Sequence, residues 1–303
     1  MLEDRSLGRF VIPFLAFLVG AALMLAVASE SLGARAPARS GDPSIFPPFQ
    51  SLPGVSDADV AALWELALRE EREGDFAAAA ATYEQLAVRL PTAAAPRWRA
   101  AKNHWDAGGE LPENDVEGRR RAYAHTRAWA ERGIDVDPQC GECRLYMAAG
   151  LGGEARDRGA IVGALQVSDI ADLLERGIEL VSRQPDAESN PELEELYYAA
   201  ALLYSRVPDS GVLRWALGVP GDRKRAIAYM RRAAELSEQR PTYQVELGRL
   251  LVCTGTAEDD SALMAEGFTV LQTVLARPAD EVAEENRRRA QELVDSPRRV
   301  CDS

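Results

Sequence analysis

Apolar residues recur every three or four positions along most of the chain after residue 57, a spacing that predicts amphipathic α-helices. No stretch of useful length alternates apolar and polar residues with period two, so the pattern does not support β-strands. The helical segments come in pairs, each with a first and a second member. The first members are Asp57–Arg72, Ala95–Ala107, Cys143–Leu151, Pro191–Ser205 and Thr242–Thr254. The pattern therefore predicts an all-α fold made of helix pairs.

Two of the second helices open on the same Gly-Asp dipeptide and share one internal spacing. Gly74 is followed at offsets of 5, 9 and 12 by Ala79, Tyr83 and Leu86, and Pro91 closes the segment. Gly221 is followed at the same offsets by Ala226, Met230 and Ala233. Gly-Asp suits a turn between paired helices, small residues let two helices approach, and the larger residue fills the space between them.

The ends of the second helices align over the whole array. Segments 131–135 and 175–179 are near copies of each other, centred on Gly133 and Gly177. With Leu86, Ala233 and Val274 these glycines form a series of small or apolar positions at intervals of 47, 44, 56 and 41 residues. A repeated helix pair is the signature of a solenoid. We expect an α-solenoid of about five pairs, closed by a polar capping helix over 281–293.

The segment from Gly74 to Pro91 resembles a tetratricopeptide repeat (TPR), whose standard length is about 34 residues. The later region, from Asp137-Pro138 to Gly255, resembles the longer repeats of the regulator of microtubule dynamics family. It is similar also to the periplasmic TPR component of some tripartite transporters. The resemblance implies a concave surface that binds peptides or helices of partner proteins.

The first residues predict a membrane anchor. An uncharged run from Phe10 to Ser29 is mostly Val, Leu, Phe and Ala, and as a helix it would span roughly 30 Å, the thickness of a hydrocarbon core. A cleaved signal peptide is the alternative, with Ala26-Val27-Ala28 as the cleavage site. We favour an uncleaved anchor because the apolar run exceeds the usual h-region of about 7–15 residues.

Arginines are equally frequent on the two sides of this run, and the N-terminal amine tips the balance towards a cytoplasmic N-terminus. The repeat domain would then be extracytoplasmic, and periplasmic in a bacterium. The predicted organisation is a flank (1–9), the anchor (10–29), a linker rich in Pro, Gly and Ser (30–57), the repeat domain (58–278), and a capping helix with tail (279–303).

The net charge of the 303-residue chain is -13, which argues against nucleic acid as a partner because phosphate binding needs a basic face. It also means that the membrane is reached by insertion and not by electrostatic attraction. The two histidines, His104 and His125, leave little material for a metal site or a histidine-based triad, so we expect no metal, no cofactor and no enzymatic activity.

The four cysteines leave two alternatives. Cys140 and Cys143 form a CxxC sequence where a helix should begin, a setting that stabilises a thiolate. Redox chemistry would normally need a βαβ setting, which is lacking, and zinc would need a second pair, whereas Cys253 and Cys301 are far apart in sequence. In an extracytoplasmic domain a local Cys140–Cys143 disulfide is the favoured interpretation.

Two further features suggest contacts with partners. Lys102-Asn103 matches part of the clamp with which some TPR domains hold peptide carboxylates. The insertion 207–221 carries Trp215 between prolines and glycines, and we hypothesise that it shapes the binding groove.

Three functions follow from these observations. The first is a membrane-anchored scaffold that mediates protein–protein interactions in an envelope complex, able to form homo-oligomers. The second is a solute- or transporter-associated binding protein, and the third is an oxidoreductase that uses the CxxC pair.

Overall fold

The computed structural model describes residues 56–158, 160–207, 221–237 and 240–301, and over these ranges the chain is helical without a β-strand. The all-α prediction is thus confirmed for the described part of the chain. Its helices are α1 (Asp57–Glu73), α2 (Phe76–Arg89), α3 (Ala95–Glu110), α4 (Val116–Val136), α5 (Gly141–Arg158), α6 (Ala160–Val181), α7 (Pro191–Arg206), α8 (Arg223–Leu236), α9 (Pro241–Glu258), α10 (Ser261–Leu275), α11 (Glu284–Asp295) and α12 (Pro297–Cys301), with a 3₁₀ turn at Ala187–Ser189.

Short polar side chains set the starts of six of the described helices by accepting hydrogen bonds from free backbone N–H groups of the first turn. Asp75 accepts from Ala78 N at the start of α2, and Asp222 accepts from Arg225 N at the start of α8. The glycine of the first Gly-Asp dipeptide, Gly74, has a φ of 81° and ends α1 in the left-handed conformation that glycine adopts without strain. This dipeptide therefore ends one helix and starts the next.

Helices that are neighbours along the chain pack on each other in two runs, which is the arrangement of a helical-repeat array. From α1 to α5, and again from α7 to α11, consecutive helices are in contact. Some helices also touch the next but one along the chain, as α3 does α5 and α9 does α11. This stacking is consistent with the TPR-like solenoid that the repeat spacing predicts.

The chain divides into two compact units, with the boundary between Leu180 and Val181 at the end of α6. The described part of the first unit contains α1 to α6, and that of the second contains α7 to α12. The repeat spacing gives no sign of this division.

Each unit has its own apolar core. The core of the first unit is centred on Trp64, Tyr83, Leu86 and Leu90, and that of the second on residues of α9, α10 and α11, such as Leu271. The five aligned positions of the second helices are all buried, namely Leu86, Gly133, Gly177, Ala233 and Val274. The repeat pattern thus marks the interior side of those helices.

The C-terminal end differs from the expected polar cap. The predicted capping helix over 281–293 is found at Glu284–Asp295, and a short further helix, α12, follows it. Asn286, Ala290 and Leu293 of α11 are buried, so this helix completes the core of the second unit as well as covering its end.

Several predictions fall outside the described residues. They are the flank 1–9, the anchor Phe10–Ser29, all but the last two residues of the linker 30–57, and most of the insertion around Trp215. Among the described helices, none combines the length and the apolarity needed to cross a bilayer. The membrane helix remains a prediction from the sequence.

Candidate interaction surfaces

A cleft of about 390 Å³ opens on the first unit between α2 and α4. Its lining mixes apolar and charged residues, namely Ala87, Val88, Pro91, Arg97, Trp129, Arg132, Asp135 and Val136. Val88 is 71% exposed, and it is the one large hydrophobic residue found exposed within the described ranges. An exposed apolar side chain beside an aromatic ring and fixed charges is a usual composition for a protein-binding site.

Two guanidinium groups give this cleft a positive character. Arg97 donates to the backbone oxygens of Leu90, Ala93 and Pro91, which holds it in place. Burial lowers the pKa of Arg97, and the neighbouring Arg132 lowers it further. Arg132 lies over the Trp129 ring at 4.5 Å in a cation–π contact. The mutual repulsion of the two cations would be relieved by an acidic group in the cleft.

Behind the Trp129 wall, both histidines of the chain contribute to one polar cluster. His104 Nε2 lies 2.7 Å from Glu84 Oε1, and the His104 and His125 rings stack with centroids 4.9 Å apart. The hydrogen bond from His104 lowers the pKa of Glu84 against the effect of its burial. Within the described part of the chain no group of three His, Cys, Asp or Glu side chains has the geometry to hold a metal ion.

The first helices of this unit carry a second polar and aromatic cluster, centred on Glu71 of α1. Glu71 pairs with Arg99 at 3.5 Å and with Lys102, and it accepts a hydrogen bond of 3.1 Å from Tyr83. Arg99 lies 4.6 Å from the centre of the Trp98 ring, which stacks on Tyr146 of α5. These contacts tie α1, α2, α3 and α5 together.

The suggested carboxylate clamp at Lys102-Asn103 is wrong. Lys102 is engaged by Glu71 and by Asp106 at 3.5 Å. Asn103 is fully buried, and its Nδ2 donates to the backbone oxygen of Arg99 at 2.9 Å. Asn103 is enclosed by the packing of α3 against its neighbours, so it cannot reach a peptide carboxylate.

The structure joins Cys140 to Cys143 in a disulfide at the start of α5. Both residues are buried, at 4% and 0% exposure, and Cys140 Sγ accepts a hydrogen bond from Cys143 N at 3.1 Å. Disulfide exchange needs an accessible sulfur, so this pair is badly placed for redox catalysis. It lies instead against Gly133 of α4, one of the repeat-signature residues.

The other two cysteines, which the sequence analysis treated as isolated, are also joined. A disulfide between Cys253 of α9 and Cys301 of α12 bridges 48 residues. Sequence spacing could not indicate it, because α10 and α11 lie between the two helices along the chain and only their packing brings α12 back to α9.

The second unit contains a buried ionic cluster that the sequence analysis missed. Glu246 of α9 is 1% exposed, and its two carboxylate oxygens accept hydrogen bonds from Arg249 Nε at 2.7 Å and from Arg289 Nη2 of α11. Burial raises the pKa of Glu246, but Arg249 and Arg289 outweigh that effect and bring the pKa down to about 2. Arg289, expected on the polar outer side of the capping helix, faces inward.

The other repeat-signature residues have structural roles. Ala79, Tyr83, Ala226, Met230 and Ala233 are fully buried, and Gly177 and Gly221 are buried as well. Gly74 is at the turn after α1, and Pro91 is exposed at the rim of the cleft.

No model of a known protein family matches the sequence, and no curated protein matches it either. Two of the solved structures that align with this chain are of MamA. "MamA 41-end from Desulfovibrio magneticus RS-1" aligns with a TM-score of 0.46 and 16% identity over 74% of this chain and 99% of its own. "MamA RS-1 ArsTM double mutant" aligns with a TM-score of 0.44 and 15% identity over 72% of this chain and 95% of its own. At such low similarity neither function nor partner carries over, and the resemblances to the microtubule-dynamics and transporter families gain no support.

Proposed function

We propose that this chain is a membrane-anchored helical-repeat scaffold that binds a partner protein at the cleft between α2 and α4. The observation that carries the proposal is the position of Val88, an exposed aliphatic side chain on the edge of a cleft walled by Trp129. An aromatic wall and an arginine are the residue types that most often anchor protein interfaces.

The charges in the cleft indicate the chemistry of the partner. Arg97 and Arg132 both line it and are near enough to repel each other, and Asp135 is the acidic residue of the lining. A segment with one apolar side chain for Val88 and Trp129, and one carboxylate for the arginines, would match this surface.

The rest of the proposal concerns location. The apolar run Phe10–Ser29 would hold the protein in the membrane, and the Pro-rich linker after it would keep the repeat domain clear of the surface. Four cysteines paired in two disulfides suit an oxidising compartment, which supports an extracytoplasmic repeat domain in an envelope complex.

Site-specific photo-crosslinking tests the partner surface. Benzoylphenylalanine would replace Val88 in the full-length protein in its native membrane, and a second sample would carry it at Ala62, an exposed position on α1. We expect a crosslinked partner at position 88 that is absent at position 62. Arg132→Glu should weaken this crosslink severalfold, because it reverses a charge in the cleft.

The outcomes distinguish the alternatives. A crosslink to a second copy of the chain would make the cleft a homo-oligomer contact. Equal crosslinking at positions 62 and 88, or none at either, would overturn the assignment of the cleft as the partner site.

A further inference from the structure

Three helices of the second unit, α7, α9 and α11, each contribute an arginine to one cluster around the buried Glu246. Arg206 is the last residue of α7, Arg249 lies in α9 and Arg289 in α11. All three are close enough to Glu246 to interact electrostatically, and Arg206 interacts also with the other two arginines. The cluster is notable because the chain as a whole has a net charge of -13.

The single carboxylate of the cluster, that of Glu246, already accepts two hydrogen bonds. Its two oxygens accept from Arg249 and Arg289, and neither oxygen receives a hydrogen bond from Arg206 Nη1. Arg206 Nη1 is shut off from solvent and donates no hydrogen bond to any residue that the structure describes. Burial lowers the pKa of Arg206, and repulsion from Arg249 adds to this effect.

A buried guanidinium N–H without an acceptor is costly, because it has lost its water and gained no hydrogen bond in return. Repulsion from the two neighbouring arginines increases the cost. Arg249 and Arg289 keep access to solvent, with side chains 26% and 22% exposed, so the cluster is open to solvent at these two arginines. With three cations and one carboxylate, the cluster has two positive charges in excess.

We propose that Arg206, Arg249 and Arg289 form a binding site for a doubly charged oxyanion of the phosphate type. A guanidinium group presents N–H donors in a planar fork that matches the oxygens of such an anion. A dianion would neutralise the excess charge and give Arg206 the acceptor that it lacks. The site belongs to the second unit, and it is independent of the cleft between α2 and α4.

The test measures the thermal unfolding of the full-length protein in detergent as inorganic phosphate is added, with sodium chloride at matched ionic strength as the reference. Glycerol 3-phosphate forms a second arm. We expect phosphate to raise the unfolding temperature in a saturable manner, whereas chloride does not. Binding of both compounds would indicate that the site accepts the phosphate group of a larger molecule, and binding of phosphate alone would indicate a site for the free ion.

Arg206→Met is the decisive variant, with Arg288→Met, an exposed arginine of α11, as its matched control. Arg206→Met should weaken phosphate binding roughly tenfold to a hundredfold, because hydrogen bonds to a charged group are lost. Without phosphate it should be as stable as the parent protein or more so, because an unpaired buried cation has been removed. Arg288→Met should bind phosphate as the parent does.

Two results would overturn the proposal. One is an unfolding temperature that responds to phosphate no more than to chloride at the same ionic strength. The other is a phosphate response that Arg206→Met leaves intact, since the site would then have to lie elsewhere.

Discussion

At the scale of single residues, Gly133 shows why the sequence keeps glycine in the middle of a helix. A Cβ atom at this position would lie 2.5 Å from Cys143 Sγ, and the disulfide leaves that sulfur little freedom to move. We expect Gly133→Ala to lower the free energy of unfolding by about 1–3 kcal/mol, because α4 and α5 must separate. Urea unfolding followed by far-UV circular dichroism measures this change.

Gly152 of α5 is the matched control for that experiment. Nothing lies within 4 Å of a Cβ built there, so Gly152→Ala should follow intrinsic helix propensity and raise the stability by roughly 0.5–1 kcal/mol. If both variants raised the stability, α4 and α5 would have room for a methyl group at Gly133, which would contradict the close approach.

The pKa of Glu246 predicts how acid changes the stability of the second unit. Its pKa is about 2 in the folded protein against 4.5 for the free side chain, so its stabilising effect is complete above about pH 4.5 and is lost as the pH falls towards 2. Glu246→Gln should cost about 3–5 kcal/mol at pH 7, because it removes the buried charge that pairs with both Arg249 and Arg289.

The measurement is the difference in unfolding free energy between the parent and Glu246→Gln at pH 7, 4 and about 2.5. We expect this difference to shrink as the pH falls. Glu188→Gln, which breaks an exposed ion pair with Arg232, should give a small difference at every pH. A pH-independent cost for Glu246→Gln would mean that its charge does not stabilise the fold.

At the scale of elements, the start of α2 depends on one side chain. Asp75 accepts a hydrogen bond from Ala78 N at 3.1 Å, and it follows the left-handed Gly74 that ends α1. Asp75→Ala should cost about 1 kcal/mol, whereas Asp75→Asn, which retains an accepting oxygen, should cost much less. Equal losses in the two variants, measured by urea unfolding, would contradict a capping role.

The short C-terminal helix α12 depends on a covalent bond for its stability. Its five residues are too few to be stable alone, and the Cys253–Cys301 disulfide closes a loop of 48 residues. By loop-closure entropy this bond contributes about 4 kcal/mol, and the Cys140–Cys143 bond, with a separation of 3, contributes about half as much.

Double alanine variants of each cysteine pair, compared by urea unfolding, test this difference between the two disulfides. We expect the variant without Cys253 and Cys301 to be the less stable. The reverse order would mean that the local bond at the start of α5 contributes through packing against α4 more than through chain entropy.

The elements also show how far the sequence could predict the structure. The second helices were predictable because Leu86, Gly133 and Ala233 recur on one face, and burial of that face is what the repeat requires. The cleft between α2 and α4 and the long-range contacts of the second unit were not predictable in the same way. Cys253 meets Cys301, and Glu246 meets Arg289, only because helices distant in sequence stack, and no local pattern encodes that contact.

Asn103 illustrates the opposite error, in which a local pattern suggests too much. A Lys-Asn dipeptide has the residue types of a carboxylate clamp, but successive residues of a helix point in directions about 100° apart. Lys102 lies at the surface and is engaged by Glu71, whereas Asn103 is enclosed in the helix packing. Only the register of α3 against its neighbours decides which of the two residues meets solvent.

At the scale of the whole molecule, the cysteines link the location of the protein to its stability. All four are paired, and the described part of the chain contains no free cysteine. Disulfides of this kind persist in oxidising compartments and are rare in the cytosol. If the run Phe10–Ser29 carries the repeat domain across the membrane, every cysteine should be oxidised in living cells. If the domain stays in the cytosol, the cysteines should be reduced, and the C-terminal end of the second unit should be less stable.

Thiol trapping in the host cells decides between these locations. Cells would be quenched with acid, and the full-length protein treated with a heavy maleimide before and after reduction. We expect no mass shift before reduction and a shift of four labels after it, because two disulfides protect the four thiols. A variant lacking residues 1–30 serves as the cytosolic control and should be labelled without reduction. Labelling of the full-length protein without reduction would place the repeat domain on the reducing side of the membrane and exclude the proposed topology.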